Sequence, residues 1–475
     1  MPLIAGLDIG STSVKISLLD TISHQIVATN SKKYEFKVNE EIRVKHPEYC
    51  QQNVSEIIGC IHETLATFDD QQRSTITMIS ICGQMHGCVL WNNDSYLNYY
   101  SKRGQFDIDD SRVSDLYNWQ DMRCTDKFIA SLPKPHSYAD RISTGFGCAT
   151  IFWLTIYEKQ FVQKFNSSAT IMDFIVTIIC GLKHPVMSTQ NAMSWGYFDP
   201  IGHKFNENLL KNNGFPVHLL PTVSKCGSIA GKTVFNWLGI PVGTPVLVAM
   251  GDMQCATYVN LRHNPNSAVI NISTSMQLSV LNNKNFTPES KSVSKYKSID
   301  YFPYFDDTYL SVAASLNGGN VLQHIINFIK DLIEDITGIK VPDNQIWHKI
   351  FQLHQNQETD ISDNNLLVKP TLFGERHDPS LKASIVNISK NVKINKIIEA
   401  FCNGIIDNVF EMMPIEYIKE NNITQVIGTG TVLIKNPIMR GMLETKLEIP
   451  IVYIENSDAD VGAVWVAFDY IFNTQ

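Results

Sequence analysis

Apolar and polar positions alternate most clearly at the start of the chain. Leu3-Ile4-Ala5 opens an apolar run, Gly6, Asp8 and the segment Gly10-Ser11-Thr12-Ser13 interrupt it, and Val14, Ile16, Leu18 and Leu19 resume it. This pattern predicts a strand, a tight turn and a second strand. The plan recurs in the second half: Ala268-Val269-Ile270-Asn271-Ile272, then Ser273-Thr274-Ser275, then Met276 to Val280. Helical spacing appears over 46–68, where Val54, Ile57, Ile58, Ile61 and Leu65 share a face behind Pro47. It appears again over 320–336, with Leu322, Ile325, Ile326, Ile329, Leu332 and Ile333. Short apolar runs at 77–82, 246–249 and 424–427 read as strands. Strands alternating with helices predict an α/β protein. The Gly- and Pro-containing stretch 239–244 is expected to link two lobes, 1–245 and 246–475, and the polar stretches 282–300 and 355–365 to lie on the surface.

Composition narrows the class. A chain of 475 residues suits two large lobes, each burying its own core. Lys and Arg number 39 against 47 Asp and Glu, a formal net charge of −8 with no basic run, so neither nucleic acid nor an anionic membrane is an expected partner. The opening MPLIAGLDIG lacks the basic region of a secretory signal, and the longest apolar candidate, 169–182, is interrupted by Asp173, so a cytoplasmic protein is expected. The ten cysteines sit singly without zinc-type spacing and are expected to be reduced core thiols.

Candidate chemistry concentrates at the turns. A Gly-Ser-Thr-Ser turn between buried strands projects backbone N–H groups and hydroxyls outward, which suits a phosphate; a plain hairpin is the bland alternative. Asp8 stands where a carboxylate could serve Mg²⁺, unless it merely caps its own turn, and Lys15 could reach a phosphate. Asp252 follows the apolar run 246–249, at the carboxyl end of a predicted strand, where open α/β sheets keep ligands; it is either a general base or a helix cap. Gly83-Gln84-Met85-His86-Gly87 mixes amide, thioether and imidazole in one loop, a combination that suits a polyol. Trp119-Gln120-Asp121 adds an aromatic face beside polar groups. Asn317-Gly318-Gly319 and Gly428-Thr429-Gly430-Thr431 are small-residue turns able to approach a nucleotide. Residues 227–233 imitate a P-loop but have three spacer residues where four are needed, and are rejected.

Taken together, Asp8 to Lys15, the loop 83–87, Trp119-Gln120-Asp121, Gly251-Asp252, Ser273-Thr274-Ser275, Gly374-Glu375-Arg376 and Gly428-Thr429-Gly430 resemble, in order, the FGGY carbohydrate kinases of the actin-like ATPase superfamily. The stretches 144–153, 191–198, 214–221 and 313–320 resemble members acting on a seven-carbon ketose. The resemblance implies two ribonuclease-H-like lobes around a central cleft, with ATP and Mg²⁺ bound mainly by the second lobe and sugar mainly by the first. It implies phosphoryl transfer to the 7-hydroxyl of sedoheptulose. By carry-over Asp252 is the catalytic base and Asp8 the metal-side carboxylate. Gln84, Met85, His86, Trp119, Gln120 and Asp121 contact sugar. Gly10, Ser11, Thr12, Ser13, Lys15, Ser273, Thr274, Ser275, Asn317, Gly318, Gly319, Gly428, Thr429, Gly430 and Thr431 hold nucleotide. Met253 stands where many members have Asn, which argues against a pentulose pocket. A kinase of another ketose such as xylulose, and a non-catalytic actin-like nucleotide switch, remain the alternatives.

Overall fold

The computed structural model describes residues 1–35, 45–93, 104–135, 142–289, 294–355, 366–455 and 457–473. Parts of the two expected surface stretches, 290–293 and 356–365, lie outside the described residues. Two mixed sheets share one plan. The first is built from β1 (Leu3–Ile9), β2 (Ser13–Asp20), β3 (Gln25–Lys33), β4 (Ile76–Gly83), β5 (Ile229–Lys232), β6 (Pro245–Leu247) and β7 (Met250–Gly251). Its order is β5-β6-β4-β1-β2-β3, with β7 continuing beside β4 after β6. The second comprises β8 (Ser267–Ile272), β9 (Met276–Leu281), β10 (Asp300–Pro303), β11 (Tyr309–Ser315), β12 (Gln425–Thr429) and β13 (Ile451–Tyr453), in the order β10-β11-β9-β8-β12-β13. In each, the hairpin strand pairs antiparallel with its successor and parallel with a later strand: β1 with β2 and β4, β8 with β9 and β12.

The near-continuous burial of β1 follows from cover on both faces. Leu3, Ala5, Leu7 and Ile9 join a core with Ile57, Ile58, Ile61 and Leu65 of α1 (Val54–Leu65). Ile4 points the other way, into a core that includes Ala463, Val464 and Ala467 of a helix formed much later in the chain, Ala459–Asn473. That helix lies so close that a Cβ on Gly6 would sit 2.3 Å from the Asp460 carbonyl oxygen. The same core takes Cys255 and Leu261 from the helix Asp252–Leu261, and Val269 and Ile427 from the second sheet. Two helices and facing strands therefore seal the floor of the cleft between the lobes.

Two boundaries differ from the sequence pattern. α1 starts at Val54 rather than at 46, because the Asn53 side chain accepts the Glu56 N–H at 2.9 Å and caps it there, while Gln51–Gln52 pairs as a short strand with Leu116–Tyr117. Residues 239–244 belong to the turn 233–244 between β5 and β6 of the first sheet. Gly239 and Gly243 supply the positive φ of that turn, the same composition a hinge would show. The chain leaves the first sheet only after Gly251, at the helix that begins with Asp252, so the crossing falls after residue 245. The rejected P-loop imitation contains strand β5 and no phosphate turn. All ten cysteines are unpaired, and no helix among the described residues is long and apolar enough to cross a membrane.

Candidate active site

Asp8 is the penultimate residue of β1 and shares the face of Ile4 and Gly6, which looks into the cleft. Its cross-strand partner is Lys15. Lys15 Nζ donates to Asp458 at 2.9 Å, and Asp460, fully buried, accepts the Ser17 hydroxyl at 2.6 Å. Burial, then Asp252, then Asp460 push the Asp8 carboxyl well above the usual carboxylate range, with Lys15 opposing them. One Asp8 oxygen, Oδ1, is buried without a protein partner. A carboxylate left in this state calls for a cation nearby, so the donor set fits the expected metal. Lys15 is partly engaged by Asp458, an acidic residue that belongs to none of the motifs above.

Asp252 opens its helix at the end of the β6–β7 strand path, and the Met253 N–H donates to its Oδ1 at 2.7 Å. Burial raises its pKa to about 6, with that hydrogen bond pulling the other way. Asp252 lines two adjoining cavities. The first, about 290 Å³, is walled by Ser11, Met85, His86, Trp119 and Phe146 from the first lobe and by Ser275, Tyr301 and Arg376 from the second. The second, about 330 Å³, contains Asp8, Asn271, Thr429 and Asp458. Met253 and Gln277 also border both. Gln277 follows Met276 at the start of β9 and was missed because a lone amide beside a small-residue turn carries no sequence signature.

On the first-lobe side, His86 has a positive φ of 77°, stacks on Phe146 with ring centroids 4.6 Å apart, and donates from Nδ1 to the Ser194 carbonyl at 2.8 Å. That bond leaves Nε2 as the acceptor of the neutral ring. Trp119 Nε1 donates to Ser11 Oγ at 2.8 Å, and Ser11 Oγ donates to Gln84 Oε1 at 3.3 Å. Gln84 is buried and spends its amide on Gln52 and the Gly10 carbonyl, so it braces the turn rather than facing the first cavity. Asp121 is likewise withdrawn. It takes both Arg123 Nε and Nη2 at 2.8 and 2.9 Å and accepts the Cys50 N–H at 2.8 Å, while Arg123 lies over the rings of Tyr49 and Tyr117. This buried, fully paired carboxylate organises the loop under Trp119. Gln120 is exposed and lines neither cavity. Of the sugar set, Met85, His86 and Trp119 meet Asp252 at one cavity; Gln84, Gln120 and Asp121 do not.

Each hairpin turn is closed by a backbone bond at 3.0 Å, over different spans: Gly10 N–H donates to the Ser13 carbonyl, and Ser273 N–H to the Ser275 carbonyl one residue nearer. Thr12 and Thr274 stand exposed at the two turns. The 317–319 turn packs on the second hairpin, with Gly319 N–H donating to the Ser273 carbonyl at 2.8 Å, and a Cβ on Gly318 would sit 2.6 Å from Ser275. Gly428 and Thr429 end β12 next to Asn271, Gly430 turns the chain with a φ of 96°, and Thr431 starts a short helix with its side chain exposed. These turns form one small-residue surface on the second lobe. The Asn317 side chain is not part of it: fully buried, it donates to the Gly374 carbonyl at 2.7 Å and to Glu375 at 2.9 Å. Glu375 also accepts from Ser315, the Leu316 N–H and Asn408, so this buried carboxylate ties the turn from behind while its neighbour Arg376 reaches the first cavity.

Comparison with known proteins agrees with this architecture. Residues 3–258, more than half of the chain, match the family model described as "FGGY family of carbohydrate kinases, N-terminal domain". The chain is 37% identical over 472 residues to sedoheptulokinase of Homo sapiens, covering 98% of this chain and 97% of that one. Among solved structures it superposes on a xylulose kinase from Rhodospirillum rubrum with a TM-score of 0.79 at 16% identity, over 98% of this chain and 89% of the other. The match to a Plasmodium falciparum glycerol kinase solved with ADP has a TM-score of 0.76 at 16% identity, over 99% and 90%. Two ribonuclease-H-like lobes of actin type, a shared cleft and ordered motifs along nearly the whole length all lead to one assignment: the chain belongs to the FGGY family of carbohydrate kinases.

Proposed function

We propose that this chain transfers the γ-phosphoryl group of ATP to the 7-hydroxyl of sedoheptulose, with Asp252 as general base. The observation that carries the reading is that Asp252 borders both cavities, one walled by aromatic and polar side chains suited to a polyol, the other by Asp8 and the second hairpin. Phosphoryl transfer needs little covalent help from protein; it needs an aligned acceptor, a proton sink and charge neutralisation. Asp252 accepts the hydroxyl proton as the oxygen attacks, and its pKa of about 6 keeps it ionised yet basic near neutrality. Met85, His86 and Trp119 hold the sugar, and the Met253 thioether replaces an amide beside the base. Asp8 would hold Mg²⁺; bound there, the ion would neutralise charge on the phosphate oxygens. The turns at 10–13, 273–275, 317–319 and 428–431 supply backbone and hydroxyl donors for the nucleotide, and Lys15 adds a positive charge beside Asp8.

The relation to a sedoheptulokinase over nearly full length supports the seven-carbon substrate. The test is ADP release with ATP, magnesium and a panel of ketoses. Sedoheptulose should give the highest kcat/KM, and Asp252→Asn should lower kcat roughly 10²- to 10⁴-fold with nucleotide binding retained. A pentulose ranking first would overturn the substrate, and full turnover by Asp252→Asn would overturn the base.

A further inference from the structure

The β6–β7 strand path that leads to Asp252 is interrupted at 248–249, and the helix Thr189–Trp195 bridges the gap. Asn191 Nδ2 donates to the Ala249 carbonyl at 3.3 Å. Gln190 Oε1 accepts the Gly251 N–H at 3.2 Å. The same helix holds the opposite wall of the sugar cavity. Ser194 Oγ accepts the His86 N–H at 3.2 Å, the Ser194 carbonyl accepts from His86 Nδ1 at 2.8 Å, and Met193 lines the cavity itself. One short helix thus fixes the base and the sugar loop in a common frame.

The burial of Gln190 is costly. Its residue is fully buried, and its Nε2 has no protein partner, nor do Asn191 Oδ1 or either polar atom of Gln254, which folds back toward Gly251. A core selected for stability alone would place apolar side chains here, since an unsatisfied buried amide is unfavourable by about 1–3 kcal/mol. Gly251 has no room for a side chain either: a Cβ would lie 2.3 Å from Gln254 Oε1 and 2.6 Å from Met85 Sδ. Gln190, Met85 and Gln254 therefore converge on the single residue that precedes Asp252.

We infer that Gln190 is a positioning residue for phosphoryl transfer, holding Gly251 through its main-chain N–H so that the Asp252 carboxyl meets the acceptor hydroxyl. The inference rests on Asp252 being the base. A displacement of about 1 Å in a reacting group can cost on the order of 10²-fold in rate. Gln190→Met, similar in size but without the acceptor, is expected to lower kcat roughly 10- to 100-fold while KM for ketose and ATP stays within about twofold. Gln190→Glu keeps an acceptor oxygen and is expected to recover most of the lost kcat. A change in KM alone, an unchanged kcat in Gln190→Met, or a Gln190→Glu variant no faster than Gln190→Met would overturn the inference. Should Gln190→Met not yield folded protein, Gln190→Asn keeps an amide but withdraws it from Gly251, and the same split between kcat and KM decides. Asp252→Asn run alongside separates the two claims: if it turns over normally the base falls, whereas if it is inactive and Gln190→Met is normal only the positioning role falls.

Discussion

The two hairpins that open the two sheets share a backbone and differ in charge. In each, a short turn, four residues between the last paired positions in the first and three in the second, joins a covered strand to its antiparallel partner, and the penultimate residue of the first strand faces the cleft. In the first lobe that residue is Asp8, opposite Lys15 and near Asp458 and Asp460. In the second it is Asn271, opposite Gln277 and beside Thr429. One copy concentrates acidic groups around a lysine; the other presents amides and hydroxyls. The repeat of apolar positions makes the frame, and the substitution of amides for acids divides the labour: the first hairpin carries the carboxylate suited to a cation, and the second adds no carboxylate of its own to the cavity the two share.

Asp8→Asn makes the first hairpin resemble the second and should have the largest effect. With the fold intact, kcat is expected to drop roughly 10²- to 10³-fold, measured by coupled ADP release across a magnesium titration. An activity close to the parent at every magnesium concentration would dissolve the division between the hairpins. The reverse exchange, Asn271→Asp, places a carboxylate beside the bound phosphates; KM for ATP is expected to rise roughly tenfold with a smaller change in kcat, because like charge at close range opposes the nucleotide. A lower KM would show that the second hairpin is not the anionic side.

The smallest effect is one of stability. Because the folded-state pKa of Asp8 is raised, the folded protein holds that proton more tightly than the unfolded chain does. The stability associated with it is present at acid pH and lost as pH rises through the raised value. Without nucleotide or magnesium, Asp8→Asn should therefore melt a few degrees above the parent at pH 8, and the gap should narrow toward pH 4. Asn271→Asp should show no gain at either pH. A parent that is the more stable of the two at pH 8 would contradict the account of Asp8.

The frame was legible because covered strands and amphipathic helices leave period-2 and period-3.6 traces: both hairpins and the helix Gly319–Thr337 fall where the apolar spacing puts them. The crossing between lobes was not, since 239–244 has the glycines of a hinge and serves as a turn. Within the candidate site, Asp8 and Asp252 stand at strand ends, Met85 and His86 in a glycine-flanked loop and Trp119 beside polar residues, and the structure brings these residues to the two adjoining cavities. Gln84, Asp121 and the Asn317 side chain sit in the same motifs yet face inward, a difference of side-chain direction that local spacing does not encode. Asp458, Asp460 and Gln190 were overlooked for the opposite reason: their contacts to Lys15, Ser17 and Gly251 join residues tens or hundreds of positions apart, with no motif of their own, while Gln277 is a lone amide beside a turn.

The helix Ala459–Asn473 covers one face of the very first strand. During synthesis Ile4 and Gly6 leave the ribosome long before Ala463 and Val464 exist, so that side of the nascent sheet stays wet until more than four hundred further residues have been added. A fragment cut at residue 245 would carry the same exposed strip permanently. The amino-terminal sheet is for this reason a structure completed by the whole polypeptide, and its late closure leaves a window in which a chaperone would have something to hold.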